Sequence, residues 1–277
     1  MAFAENNRIN KTFLELKSRG ERALICYVVG GYPDFSHSEQ IISALVSGGA
    51  DIIEIGIPFS DPIADGPTIQ DASFRALAKG MTPDKCLQLA KKVRKNFPDL
   101  PIVAMTYSNI LFKRGFKEFM CASKIAGIDG FILPDMAIEE SENYVEFAKG
   151  LDLATVFLVS PNTARDRIKK IISYSSGFLY VVSVFGTTGT RSSVFAKYSI
   201  TAIRNIKNMA GPAKNVAVGF GISSPCHVKQ ILGAGADAVI VGSAIIEKIK
   251  QGTSSGNIES KLKLYATTMK RPCRQFQ

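Results

Sequence analysis

Eight short apolar runs, each rich in β-branched residues, alternate along this chain with segments of helical periodicity. No other feature of the sequence narrows the fold as far. The runs span residues 24–29, 51–56, 102–106, 130–133, 154–159, 178–182, 216–218 and 238–241. Each is the length of a buried strand and is bounded by glycine, proline, serine or aspartate. Between them lie helical stretches at 36–47, 69–79, 83–96, 116–126, 138–149, 165–173, 199–209 and 225–232, with a last one at 258–268. Strands that alternate with helices imply parallel βαβ units. Eight such units in about 250 residues match a (β/α)8 barrel in size. One more helical segment, 8–19, precedes the first strand and ends before Gly20. The expected fold is therefore α/β: a single (β/α)8 TIM barrel with an extra N-terminal helix. No linker or compositional break divides the 277 residues, so residues 1–277 are expected to form one domain.

Composition excludes several function classes. Hydrophobic residues make up 46% of the chain, enough for a sizeable core. No apolar run is long enough to span a bilayer, and the N-terminus has no signal-peptide segment. A cytoplasmic protein is expected, or a plastid one if the source is a plant, although no transit peptide is seen. The five cysteines are an odd number without close spacing, which points to free, mostly buried thiols. His37 and His227 fall at helix starts with no partner at ligand spacing, so no metal site is expected. The net charge is +10, but the basic residues cluster in helical segments without interleaved aromatics. That pattern reads as a solvated outer face or a mild attraction for an anionic substrate, not as nucleic-acid binding.

Three segments echo one another: S-G-G-A-D-I-I-E-I-G at 47–56, I-A-G-I-D-G-F-I-L-P-D at 125–135 and G-A-G-A-D-A-V-I-V-G at 233–242. In each, a helix ends at glycine, an aspartate follows and a strand begins. Glycine as a left-handed helix cap accounts for the first part of the pattern. The similarity is read as shared turn chemistry, not as a repeat.

The chemistry concentrates at residues 50–70. Side chains alternate along a strand, so Glu54 shares a face with Ile52, while Ile53 and Ile55 share the other. A carboxylate that points into a barrel near the C-terminal end of its strand sits where such barrels place their reactions. The loop that follows is stiffened by Pro58, Pro62 and Pro67 and carries Asp61 and Asp65. A structural role in the loop suits Asp61, and Asp135 is placed to cap the helix after its strand. The last two strands run into G-F-G-I-S-S at 219–224 and V-G-S-A-I at 241–245. Barrels that hold phosphate commonly use these two loops and the start of a short extra helix. Gly221, Gly242 and Ser243 fit that task, the alternative being tight βα turns alone. The segment 186–193, G-T-T-G-T-R-S-S, suits a mobile lid or an ordinary surface loop.

These motifs together resemble the tryptophan synthase α subunit family, over roughly residues 24–246. The resemblance implies a lyase of tryptophan biosynthesis that cleaves indole-3-glycerol phosphate to indole and glyceraldehyde 3-phosphate. It implies Glu54 and Asp65 as the catalytic residues. It implies Tyr27 beside the indole ring, Tyr180 near the glutamate, Thr188 in the lid, and Gly189, Gly221, Gly242 and Ser243 at the phosphate. It implies no cofactor in this chain and a pyridoxal-phosphate β subunit as partner, in a heterotetramer of two α and two β chains. The sequence departs from the family pattern at Tyr32, often acidic, and at Phe185 before the lid glycine.

The reaction needs an electron sink, which the indole ring becomes once it is protonated at C3. A base must then take the proton of the adjacent side-chain hydroxyl as the C–C bond breaks. Glu54 serves both transfers if the barrel mouth raises its pKa. An ionised Asp65 near N1–H stabilises the cationic ring. Tyr180 is expected to hydrogen-bond Glu54, or else to be a barrel-core aromatic. Two readings compete with this one: another phosphate-binding barrel lyase or isomerase, and a partner-regulating subunit with little activity of its own.

Overall fold

The computed structural model describes residues 7–182 and 191–274. Its strands are β1 Ala23–Val29, β2 Ile52–Gly56, β3 Ile102–Met105, β4 Gly130–Ile132, β5 Ala154–Val156, β6 Leu158–Val159, β7 Phe178–Val182, β8 Asn215–Gly219 and β9 Ala238–Val241. The helices are α1 Arg8–Ser18, α2 Phe35–Ser47, α3 Pro67–Ala78, α4 Pro83–Asn96, α5 Ser108–Lys113, α6 Phe116–Ile125, α7 Glu142–Gly150, α8 Arg165–Tyr174, α9 Arg191–Ala210, α10 Pro225–Gly233, α11 Ser243–Ser255 and α12 Ile258–Lys270. Every strand pairing is parallel, in the order β5-β4-β3-β2-β1-β9-β8-β7-β6. The two ends of that order are consecutive in the chain. The run 154–159, expected as one strand, is interrupted at Phe157: its first part pairs with β4 and its second with β7. Tyr180 N–H donates to the Phe157 carbonyl at 3.0 Å, so the ring closes across the break. The fold is the expected (β/α)8 barrel, with its fifth strand shared between two neighbours.

The strands are apolar on both faces because one face packs against helices and the other fills the barrel. All seven residues of β1 and all five of β2 are buried. None of the helices among the described residues is long and apolar enough to cross a membrane. The thiols are free, with Cys26, Cys86 and Cys273 buried, Cys121 half-buried and Cys226 exposed.

The echo in the sequence has a structural cause beyond helix capping. Asp51, Asp129 and Asp237 each stand just before a strand, and each is bonded twice to one residue of the preceding strand. The aspartate N–H donates to the carbonyl of Leu24, Ile102 or Val216, at 2.9, 2.8 and 2.8 Å. The carboxylate accepts the N–H of that same residue, at 2.7, 2.8 and 2.8 Å. Ser176 makes the same pair of bonds with Thr155, at 2.8 and 2.9 Å, with a hydroxyl in place of the carboxylate. The clamp thus recurs at every second turn of the barrel. Each carboxylate is neutralised by a distant cation: Asp51 by Lys270, Asp129 by Arg94 and Arg8, Asp237 by Lys207. Burial raises Asp51, and Lys270 opposes that shift.

Both chain ends secure the N-terminal end of the barrel, away from the loops that follow the strands. In α1, Ile9, Phe13 and Leu16 are buried, and the Phe13 ring lies 6.2 Å from that of Phe178. Asn7 caps α1 and donates to the carbonyls of Asp129 and Asp152. From α12, Lys270 reaches Asp51 at 2.8 Å and the Arg22 carbonyl at 3.0 Å.

Four expectations are corrected. Residues 108–113 form α5, where no helix was expected. Helix α9 begins at Arg191, so residues 191–193 belong to a helix and not to a lid loop. The helix expected to start at Ser243 does start there, but α11 runs for 13 residues and is not short. Asp135 caps backward, not forward: it accepts from Ser108 N–H at 2.9 Å and Ser108 Oγ at 2.6 Å, at the start of α5. The first turn of α5 has no other side-chain cap, which gives that carboxylate its partner.

Candidate active site

At the C-terminal ends of the strands a cavity of about 240 Å³ opens. Tyr27 of β1, Glu54 of β2, Met105 of β3 and Tyr180 of β7 form its floor and walls. Asp65 and the start of α3 close one side, and Phe220 to Ile222, Gly242 and Ser243 close another. The period of a strand directs Glu54 here: it stands opposite Tyr27 of β1 in the parallel register, two residues before the end of β2.

Glu54 is only 1% exposed, and its Oε2 has no hydrogen-bond partner among the described residues. Burial, aided by the charge of Asp65, pushes its pKa up to about 8. A buried carboxyl without a cation holds its proton at neutral pH and can donate it. Asp65 is half-buried. Burial lifts it to about 6, and the hydroxyl of Tyr107, 3.2 Å from Oδ2, works against that rise by favouring the ionised form. The same hydroxyl accepts Ala64 N–H at 3.1 Å. Tyr107 therefore fixes the loop as well as the carboxylate. The two acids sit in one cavity with pKa values on either side of neutrality, the usual mark of an acid–base pair.

Tyr27 and Tyr180 flank these acids. Burial, with Glu54 and Asp65 nearby, keeps both phenols well above their ordinary value, so they remain protonated donors. Their hydroxyls rest over glycines of the next strand, Tyr27 over Gly56 and Tyr180 over Gly219. A Cβ on either glycine would overlap the hydroxyl, so the two tyrosines need those glycines to lean across the cavity. The expected bond from Tyr180 to Glu54 is not made at Oε2, because the Tyr180 hydroxyl lies over Gly219.

The other end of the cavity is built from backbone. Phe220 and Gly221 both have φ of +72°, a left-handed pair in which Phe220 is held by edge-on contact with Tyr180 at 6.1 Å. Helix α11 starts at Gly242 without a side-chain cap, and α3 starts at Gly66 in the same way. Gly66 and Gly242 both line the cavity. Open first-turn N–H groups and the positive end of a helix dipole favour an anion there.

Of the residues singled out in the sequence, Glu54, Asp65, Tyr27, Tyr180, Gly221, Gly242 and Ser243 come together around this one cavity. Thr188, Gly189 and Phe185 lie outside the described residues. Sequence reasoning missed Tyr107, Met105, Thr68, Phe220 and Ile222. Tyr107 lay in view within M-T-Y-S-N, just past a strand end, but its partner is 42 positions away.

Comparison with known proteins agrees with the fold and the motifs. The family model described as "Tryptophan synthase alpha chain" matches residues 13–274. The tryptophan synthase alpha chain of Methanocaldococcus jannaschii is 45% identical over 245 residues, covering 88% of this chain and 85% of that protein. Among solved structures, tryptophan synthase subunit alpha from Legionella pneumophila superposes with a TM-score of 0.88 at 31% identity, covering 96% of this chain and 98% of that one. A chain of tryptophan synthase from M. tuberculosis in its aminoacrylate-bound form gives 0.84 at 28% identity, covering 96% and 99%. With a family match over nearly its whole length, this chain belongs to the tryptophan synthase alpha chain family.

Proposed function

We propose that Glu54 and Asp65 are the catalytic pair of this chain, which as the alpha subunit of tryptophan synthase cleaves indole-3-glycerol phosphate to indole and glyceraldehyde 3-phosphate. One observation carries the assignment: a fully buried carboxyl, unpaired at Oε2 and raised to about 8, shares a cavity with a second carboxyl near 6. At neutral pH Glu54 is then an acid and Asp65 a carboxylate.

Glu54 protonates C3 of the indole, and the positive charge that develops on N1 is stabilised by Asp65. The resulting Glu54 carboxylate takes the proton of the side-chain hydroxyl. The C–C bond breaks, its electron pair returns to the ring, and the hydroxyl carbon leaves as an aldehyde. Glu54 ends the cycle protonated, so the reaction consumes no external acid or base. Tyr27 and Met105 border the ring site, and Tyr180 borders Glu54. The phosphate lies against Gly221, Gly242 and Ser243, where backbone N–H groups and the start of α11 receive it. Thr188 is assigned to the lid and Gly189 to the phosphate. The chain acts with the β subunit of tryptophan synthase, in an assembly of two α and two β chains, and residues 1–277 make one domain.

The test is indole release by the purified chain and by Glu54→Gln. Glutamine keeps the volume of the side chain and loses both proton transfers. The variant is expected to retain glycerol 3-phosphate binding and to lose at least about a hundredfold in kcat, the lower bound for removing a positioned acid–base group. Near-normal release from pure Glu54→Gln would remove Glu54 from the mechanism.

A further inference from the structure

We infer that Tyr265, together with His227, is a positioning residue that holds the loop after β8 in the shape that receives the substrate's phosphate. The inference rests on the phosphate assignment above. Neither residue borders the cavity, and they belong to different helices, α12 and α10. Both reach the same point of the loop. Ser223 N–H donates to His227 Nδ1 at 3.3 Å, and the Ser223 carbonyl accepts from the Tyr265 hydroxyl at 3.1 Å. Side chains thus engage both backbone polar groups of Ser223, two residues beyond Gly221.

That loop is under local strain. Phe220 sits in the left-handed region, where a side chain is disfavoured and persists only if its surroundings impose it. On one side the constraint is β8 and the Tyr180 ring against Phe220. On the other side Ser224 caps α10, and Ser223 is held by His227 and Tyr265. Ser223 is itself exposed, so without these partners its groups would turn to water. The left-handed pair would then be free to relax and carry the Gly221 N–H away from the cavity.

Tyr265 also links the loop to the other half of the cradle. Lys248 of α11 lies 5.9 Å from the centre of its ring. Helix α11 is the helix whose first turn, at Ser243, lines the cavity. Burial raises the Tyr265 phenol, so it stays a hydrogen-bond donor across the working pH range. One side chain outside the site therefore touches both structures proposed to hold the phosphate.

The experiment uses the full chain, Tyr265→Phe, which keeps the ring and removes only the hydroxyl, and Gly242→Val as a direct lesion of the cradle. Glycerol 3-phosphate and indole are titrated separately, and indole-3-glycerol phosphate cleavage is followed at steady state. Loss of one neutral hydrogen bond should weaken glycerol 3-phosphate binding by Tyr265→Phe about three- to tenfold and indole binding by less than about twofold. KM should rise and kcat should stay nearly unchanged, because Tyr265 lies outside the cavity that holds Glu54 and Asp65. His227→Leu should act in the same direction, and His227→Gln, which keeps an acceptor, should recover part of the loss. If Gly242→Val abolishes glycerol 3-phosphate binding while Tyr265→Phe leaves it unchanged, or weakens both ligands equally, the positioning role is wrong and the cradle stands. If Gly242→Val binds glycerol 3-phosphate normally, the cradle fails and the positioning role fails with it.

Discussion

Each acid at this site is set by a different neighbour. Glu54 has only burial and the negative charge of Asp65 around it, so its pKa rises to about 8. Asp65 has Tyr107, which holds its rise to about 6. The rate should therefore climb as Asp65 ionises near pH 6 and fall as Glu54 loses its proton near pH 8. A pH profile of kcat/KM checks this, and a flat profile across both values would contradict the assignment. In Tyr107→Phe the acidic limb should move to higher pH, because the lost hydrogen bond favoured the carboxylate. The raised Glu54 pKa also costs stability. The unfolded chain releases this proton near 4.5 and the folded chain near 8, so folding retains a proton between those values. Stability from this group is present below pH 4.5 and declines as pH rises to 8. Glu54→Gln should flatten that decline in urea denaturation series run at several pH values. An unchanged slope would show that Glu54 is not the group responsible.

Among the secondary elements, the clamps before β2, β4, β7 and β9 fix the register of neighbouring strands. They differ in what they leave behind when cut. Removing the Asp129 carboxylate leaves the Ile102 N–H without its acceptor and takes the ion-pair partner from the half-buried Arg94 and from Arg8, which keep only backbone carbonyls. Removing the Ser176 hydroxyl strands the Thr155 N–H and takes away a 3.3 Å contact with Thr155 Oγ1, with no charge involved. Asp129→Ala should cost about 3–5 kcal/mol, as for a broken buried ion pair, and Ser176→Ala about 1–3 kcal/mol, as for one unsatisfied buried donor. Equilibrium urea unfolding separates them, and equal costs would show that the cations contribute nothing. The triplet G-x-D was visible in the sequence as a repeated turn. Its second function was not, because the bonded residue lies 27 positions earlier at Asp51 and Asp129, 21 at Asp237, and in the fourth copy serine replaces aspartate.

For the whole molecule, the cavity opens on the face that carries the proline-stiffened loop, where Ile63 is 81% exposed, and Phe112 of α5 is also exposed. A β subunit that docks over that loop would hold Asp65 above the ring. It can favour the closed arrangement only as far as it binds that arrangement more tightly than the open one. Titration of the β subunit into the indole-release assay should raise the rate. Glycerol 3-phosphate should tighten β binding by the same factor by which β tightens glycerol 3-phosphate binding. If a tightly bound β subunit changes neither quantity, the chain is an autonomous lyase.

Periodicity alone determined much of this protein. Alternating apolar runs and helical segments specify parallel βαβ units, and eight of them in this length specify a barrel. The period of two along β2 aims Glu54 inward, and the order of the glycine motifs sets them after the last two strands. These are local properties, written within a few residues of where they act. What only the tertiary structure decided depends on groups far apart in the chain. Lys270 meets Asp51 across 219 positions, Tyr107 meets Asp65 across 42, and Tyr265 meets Ser223 across 42. The break at Phe157 likewise exists because the fifth strand must pair with β4 on one side and β7 on the other to close the ring. Burial belongs to the same category. A carboxyl becomes an acid at neutral pH only when the assembled barrel removes it from water, and no pattern along a single strand measures that removal.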